Sequence, residues 1–409
     1  MTPVEQLLRD EWGRLLALLV ASTRRLYLAE DALASAFEEA TRRWPIDGTP
    51  GNPSAWLLTT ARRRIVDSIR AEITHAKKQP LMVMDERNRL HDNEATQQDS
   101  LLRLVLLAAH PALAPEAGAA LTLRLVIGVS TADIARLFLV PEPTMAARLT
   151  RARKKVVTAG IPLALPPQEA LPQRLETVAS VAYLAFTAGY APSSGDQVVR
   201  TELAGEAIRL VQLVRAQTPA TRSDPTLIAL HALMLLQHSR RDARVDAAGE
   251  AVLLPEQDRS QWHHDEIAEA LALLESPVPL GSSVIARSYR LQAAIAACHA
   301  TAPSAEATDW GRICTFYEML EHLTGSPIVR LNRAVAVAEC DGPAAGLALL
   351  AGLDDRLPGN YRLAVARAEL LTRDGRTEAA RSAYAEALGL CTNETERREL
   401  LRRVQRLDG

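Results

Sequence analysis

ALTLRLVIGVSTADIARLFLVPEPTMAARLTRARKKV, residues Ala120–Val156, decides how the chain is to be read. Ser130 is an N-cap residue in front of a short helix on which Ile134, Ala135 and Leu137 face inward. Leu139, Val140 and Pro141 make a turn, and a second helix opens at Glu142 and ends in RARKK. A short helix, a tight turn and a second helix with a basic C-terminal half is the plan of a helix-turn-helix, whose second helix lies in the DNA major groove. From Pro115 to Gly160 seven basic residues stand against three acidic ones, a local excess of +4. An ordinary helical hairpin with a solvated basic face has the same pattern.

The flanks are helical too. Upstream, Leu7, Leu8, Trp12, Leu15, Leu16 and Leu19 recur at helical spacing, and Leu28–Trp44 carries Ala29, Ala32, Leu33, Ala36, Phe37 and Ala40 on one face. PIDGTPGNP (Pro45–Pro53) is a loop, and Asn52 followed by Pro53 predicts the start of a third helix carrying AWLLTTARRRIVDSIRAE. From His75 to Ser100 the chain is polar and without period, as an exposed linker is. Helices resume at Leu101 and run to about Ala159. IPLALPPQEALPQ (Ile161–Gln173) then packs four prolines into thirteen residues and reads as a domain boundary.

Beyond it come paired helices with a weak repeat of 33 residues: the stretch from Ala334 aligns on that from Arg367, placing Gly342 on Gly375. Small residues at helix crossings with this period suit tetratricopeptide-like stacking. Ala243–Asp258 is an exception, where AAG between short apolar runs predicts a small hairpin. The expected chain is all-α, with a helical domain over residues 1–75, a linker over 76–100 and a helix-turn-helix domain over 101–160. A proline-rich linker over 161–173 then leads to a tetratricopeptide-like domain over 174–409.

Composition agrees. Of the 409 residues, 48% are hydrophobic but only 4% aromatic, so the core is built from Ala, Leu and Val, which favours packed helices over a β-sandwich. With 23% charged residues and a net charge of −2, a disordered chain and a globally basic nucleic-acid coat are excluded. The 43 Arg against 4 Lys reflect a GC-rich coding sequence more than a chemistry. Cys298, Cys314, Cys340 and Cys391 contain no CxxC pair and read as free thiols in a reducing compartment. The N-terminal residues lack a basic-then-apolar leader, and Leu15–Ala21 and Leu227–Leu236 fall short of a membrane span. A cytoplasmic protein without a membrane partner is expected. No Walker glycine loop, GxGxxG, GxSxG or HExxH string occurs, so no cofactor, metal ligand or catalytic residue is assigned.

Taken in order, LAEDALASAFEEATRRW (Leu28–Trp44), NPSAWLLTTARRRIVDSIR and STADIARLFLVPEPTMAARLTRARKK resemble regions 2 and 4 of extracytoplasmic-function sigma factors. YLAFTAGYAPSSG, RRDARVDAAGEAVLLPEQDRSQW, LQAAIAACHA and LNRAVAVAE are similar to the subgroup with a C-terminal tetratricopeptide-like extension, so the resemblance covers essentially the whole chain. It implies partners, RNA polymerase core and promoter DNA. It implies that Glu30, Asp31 and Phe37 dock on the polymerase clamp. Trp56, Arg62, Arg64, Asp67 and Arg70 would then face the −10 element, by stacking and phosphate contact. Glu142, Thr144, Arg148, Arg151, Arg153, Lys154 and Lys155 would serve the −35 element.

Departures from the family's usual residues are Ala34 for Gln, Ser35 for an acid, Arg63 for Asn, Ala147 for a polar residue, and Ala108-Ala109 for a Cys-Cys pair; Pro143 sits in the first turn of the DNA-reading helix. Most replace hydrogen-bonding groups with methyl groups. Two readings follow: an alternative sigma factor regulated by its C-terminal domain, or a sigma-derived protein that has left transcription for small-molecule binding or catalysis. The second would use a pocket drawn from His110, Tyr183, Phe186, Tyr190, His231, Trp262 and Trp310. His238, His263–Glu266, His299 and Tyr317 lie nearby in sequence, without motif-level spacing.

Overall fold

The computed structural model describes residues 3–76, 99–190, 197–246, 252–277, 279, 281–391 and 394–407. The chain is helical, with no β-strand element among the described residues. It divides into two compact units, Met1–Gly189 with Glu206–Asp224, and Tyr190–Gly205 with Pro225–Gly409.

The first unit opens with α1 (Pro3–Thr23), α2 (Leu26–Asp47) and α3 (Pro53–Ala76). Their apolar faces form one core: Trp12, Leu15, Leu16 and Leu19 of α1 meet Leu33, Phe37 and Ala40 of α2, and the rings of Trp12 and Phe37 lie 5.9 Å apart. The Asn52 side chain accepts from the Ala55 N–H at 3.0 Å, starting α3 where Asn-Pro predicts it. Then follow α4 (Ser100–Ala108), α5 (Pro115–Thr122), a π-turn over Leu123–Ile127, α6 (Thr131–Leu137), α7 (Glu142–Thr158) and α8 (Leu171–Gly189). α4 is apolar nearly all round and buried accordingly.

α1 packs on both α4 and the π-turn. At that crossing Gly13 is essential: a Cβ there would lie 2.1 Å from the Val126 carbonyl oxygen, and one on Gly128 would lie 2.8 Å from the Trp12 ring. The backbones of α1 and the π-turn are thus closely apposed. α8 packs against α5, so the helix after the four prolines lies within the first unit.

α9 (Gln197–Arg215) begins in the second unit and ends in the first, to which the single turn α10 (Pro219–Arg222) also belongs. In the second unit α11 (Pro225–His238) is buried on nearly every side by α12 (His264–Glu275) and α13 (Val284–Thr301). Consecutive helices then stack: α14 (Trp310–Thr324), α15 (Pro327–Cys340), α16 (Pro343–Leu350), α17 (Tyr361–Arg373), α18 (Thr377–Leu390) and α19 (Glu394–Leu407). Their cores are chiefly Ala and Leu around Tyr384. Gly342 and Gly375 occupy the turns of two successive pairs with φ of 90° and 74°, as the 33-residue register requires. Of the hairpin expected over Ala243–Asp258, the AAG turn lies outside the described residues. Its arms are joined by the Val252 N–H donating to the Arg244 carbonyl at 2.8 Å.

Candidate polymerase and DNA interface

The acidic pair of α2 splits. Asp31 is exposed, whereas Glu30 is 4% exposed at the junction with the helix-turn-helix. Its carboxylate accepts from Arg124 Nε at 2.8 Å and from Arg153 Nη2 at 2.7 Å to each oxygen. A carboxylate taken out of water needs such partners, and two guanidinium groups meet the need with charge-assisted bonds. Arg124 also donates to the Val129 carbonyl at 3.3 Å and covers the Trp12 ring at 5.7 Å, while Arg153 lies over Tyr27 at 5.8 Å. Phe37, expected beside Glu30 as a docking residue, faces the core against Trp12. Asp31 is the member of that expected trio on the surface.

Helix α7 is positioned by its apolar spacing. Met145, Leu149, Ala152 and Val156 are buried at intervals that keep one face on the unit. α6 is capped by Ser130, whose hydroxyl accepts from the Asp133 N–H at 3.0 Å, and the turn passes through Leu139 at φ 55°. The opposite face of α7 exposes Glu142, Thr144, Arg151, Lys154 and Lys155, with Arg148 half-buried beside them. Arg153 points the other way, into Glu30. The structure therefore divides the seven expected DNA-reading residues into six directed outward and one held inside.

On α3 the Trp56 ring is half-buried, edge-on to Trp44 at 5.4 Å. Arg64 is paired to Glu39 at 2.7 Å, and this bond holds the Glu39 carboxyl below the usual carboxylate range. Arg70 is exposed, 3.8 Å from Asp67, and Arg62 is half-buried. The face presents arginines around one aromatic edge, a pattern suited to single-stranded DNA.

The residues of the alternative pocket divide between the units. His110, Tyr183 and Phe186 belong to the first; Tyr190, His231, Trp262 and Trp310 belong to the second. Tyr183 and Phe186 stack at 6.4 Å, and burial and Arg174 lower the His110 pKa. His231 is buried, 3.8 Å from Glu269. Trp310 meets His299 edge-on at 5.3 Å. No group of three or more His, Cys, Asp or Glu placed to hold a metal occurs among the described residues. No helix among them is long and apolar enough to cross a membrane.

The comparisons with known proteins follow this geometry. The sigma-70 region 2 family matches residues 7–72, the sigma-70 region 4 family residues 103–156, and a family of unknown function (DUF6596) residues 174–277. An uncharacterized protein of Rhizobium meliloti (strain 1021) is 41% identical over 385 residues, 91% of this chain and 88% of its own length. No solved structure matches the chain.

Proposed function

The chain belongs to the sigma factors of the extracytoplasmic-function kind that carry a C-terminal extension, and from that premise we propose that it directs RNA polymerase core to selected promoters from a closed form in which regions 2 and 4 are locked together. The buried Arg124–Glu30–Arg153 triad carries this reading. Helices in contact have axes about 8–10 Å apart. The −10 and −35 elements are separated by roughly 25 base pairs, about 85 Å along B-DNA. Regions 2 and 4 cannot read both while α1 lies on the π-turn, so the first unit must open to work.

Opening would free Glu30 to join Asp31 against basic side chains of the polymerase, and free Arg153 to join Arg148, Arg151, Lys154 and Lys155 on DNA. Trp56 and the α3 arginines would hold the melted strand. The C-terminal unit is proposed to govern how readily this happens. The triad also favours a second reading, in which the closed form is permanent and transcription has been lost.

Pull-down of purified core polymerase, followed by transcription from a promoter library, separates the two. The first reading expects capture by the wild type, selective transcripts, and loss of both on Asp31→Lys, because like charges facing at an interface cost several kcal/mol. No capture by the wild type would defeat it and favour the second.

A further inference from the structure

Four arginines cluster in the second unit between α11 and α13, and their charges are answered unequally. Arg241 donates to Glu266 at 2.8 Å and lies 3.0 Å from His263, whose other ring nitrogen is 2.7 Å from Asp242. Arg259 donates to the carbonyls of His299 and Ala302 at 2.8 and 2.9 Å, the end of α13 where the helix dipole is negative. Arg240 and Arg244 have no carboxylate partner among the described residues.

Among the described residues Arg240 reaches the neutral side-chain oxygen of Gln257 at 3.5 Å, with its guanidinium over Trp262 at 5.8 Å. Arg244 donates to the Gln237 carbonyl at 3.1 Å and lies over Tyr190 at 4.5 Å, and its buried Nε–H has no acceptor. Two positive charges in low dielectric repel one another strongly, and a buried donor without an acceptor is destabilising. Burial and the nearness of Arg244 push Arg240 down to about 9, the mark of a cation lacking a counter-charge. Burial, with Arg240 and Arg259, pushes His299 down to about 4, so this neighbour is neutral and supplies neither charge.

We propose that Arg240 and Arg244 form a binding site for a phosphate-class oxyanion, supplied as free phosphate or as the phosphate ester of a small molecule. A guanidinium is a planar fork that matches an oxyanion with paired N–H donors, and two such forks suit a dianion with several acceptor oxygens better than a monocarboxylate. The Trp262 and Tyr190 rings lie 5.8 and 4.5 Å from the two guanidinium carbons, with Arg259 also over Trp262 at 4.4 Å, and these cation–π contacts hold the forks in place. The site belongs to the second unit alone and does not depend on the promoter-binding reading.

The test is isothermal titration of the full chain with inorganic phosphate, glycerol 3-phosphate and acetate at matched ionic strength, with thermal melting in parallel. The expected result is saturable binding of phosphate or of the ester, at least tenfold weaker in Arg240→Gln and in Arg244→Gln, with a rise in melting temperature of the wild type. A tighter ester identifies the esterified source, and equal affinities identify the phosphate group alone. Without anion, Arg240→Gln should melt no lower than the wild type, because it removes an unanswered charge. Arg240→Lys keeps the charge but not the fork, and should also lose tenfold. No saturable heat beyond chloride, binding unchanged in both Gln variants, or acetate binding as tightly as phosphate would each overturn the proposal.

Discussion

Glu30→Gln tests the closed form directly. Glu30, Arg124 and Arg153 have side-chain exposures of 5%, 23% and 14%, so solvent screens the triad only slightly. Removing one partner of a buried ion pair costs about 3–5 kcal/mol, because the remaining charge is stranded. Gln keeps the volume and one acceptor oxygen, which puts this substitution near the lower end, about 3 kcal/mol. The loss falls on the closed form. In an opened form Glu30 and the two arginines are hydrated, and the substitution is nearly neutral there. At about 1.4 kcal/mol per factor of ten, the equilibrium moves toward open by roughly 100-fold.

Two readings follow from one protein preparation. Denaturant unfolding of the full chain should show reduced stability, and fluorescence anisotropy with labelled promoter DNA should show tighter binding, because α7 is released. A double-mutant cycle with Arg153→Gln should give a coupling of about 1 kcal/mol or more. A Glu30→Gln protein that unfolds as the wild type does and binds DNA with unchanged affinity would refute the closed-form argument.

Three further outcomes are expected. Gly13→Ala puts a methyl group 2.1 Å from the Val126 carbonyl oxygen, so it should destabilise the α1 crossing by about 1–3 kcal/mol and raise DNA affinity as Glu30→Gln does, read by the same anisotropy assay. In gel-shift titrations with core polymerase present, Arg151→Ala should weaken binding to a preferred promoter by about 1–3 kcal/mol, while Lys154→Ala should lower the salt slope by about one unit for every sequence. Burial and the adjacent Cys340 thiol push Cys314 up to about 12; its alkylation by iodoacetamide should therefore rise about tenfold per pH unit from pH 7 to 10, and a rate that levels off at pH 9 would contradict this.

What could be read from the sequence is what local spacing encodes. The Asn52 and Ser130 caps, the inward run Met145–Leu149–Ala152–Val156 and the turn before Glu142 depend on residues within a few positions of one another. Glu30 was beyond such reading. An acid near the start of an amphipathic helix is ordinarily a solvated group, and the partners of Glu30 lie 94 and 123 residues away. Gly13 left a trace, since a glycine inside a helical pattern is unfavourable by about 1 kcal/mol and often marks close approach. The pairing of Cys314 with Cys340, at Sγ–Sγ 3.2 Å, depends on which helices neighbour each other and has no local signature. The same holds for the proposed site, where Arg240 meets a Trp262 ring 22 positions further along the chain.

In the proposed closed form the triad would keep a protein with an exposed basic helix from binding naked DNA. Arg153 can satisfy Glu30 or a phosphate, and Glu30 can satisfy Arg153 or a basic group on the polymerase. If DNA alone opens the first unit, Arg153 gains a phosphate but Glu30 loses a partner. If polymerase alone opens it, Glu30 is satisfied and Arg153 loses its own. Either half-exchange gives up one buried pair for one screened contact, and a ligand shifts an equilibrium only by its differential affinity for the two states. With both partners present, the Arg153–Glu30 pair is exchanged for two external ones, and the Arg124–Glu30 pair and the close backbone crossing at Gly13 are the remaining terms to be overcome. The closed form then acts as a coincidence requirement: promoter binding by Glu30→Gln should become independent of core polymerase, while binding by the wild type should depend on it.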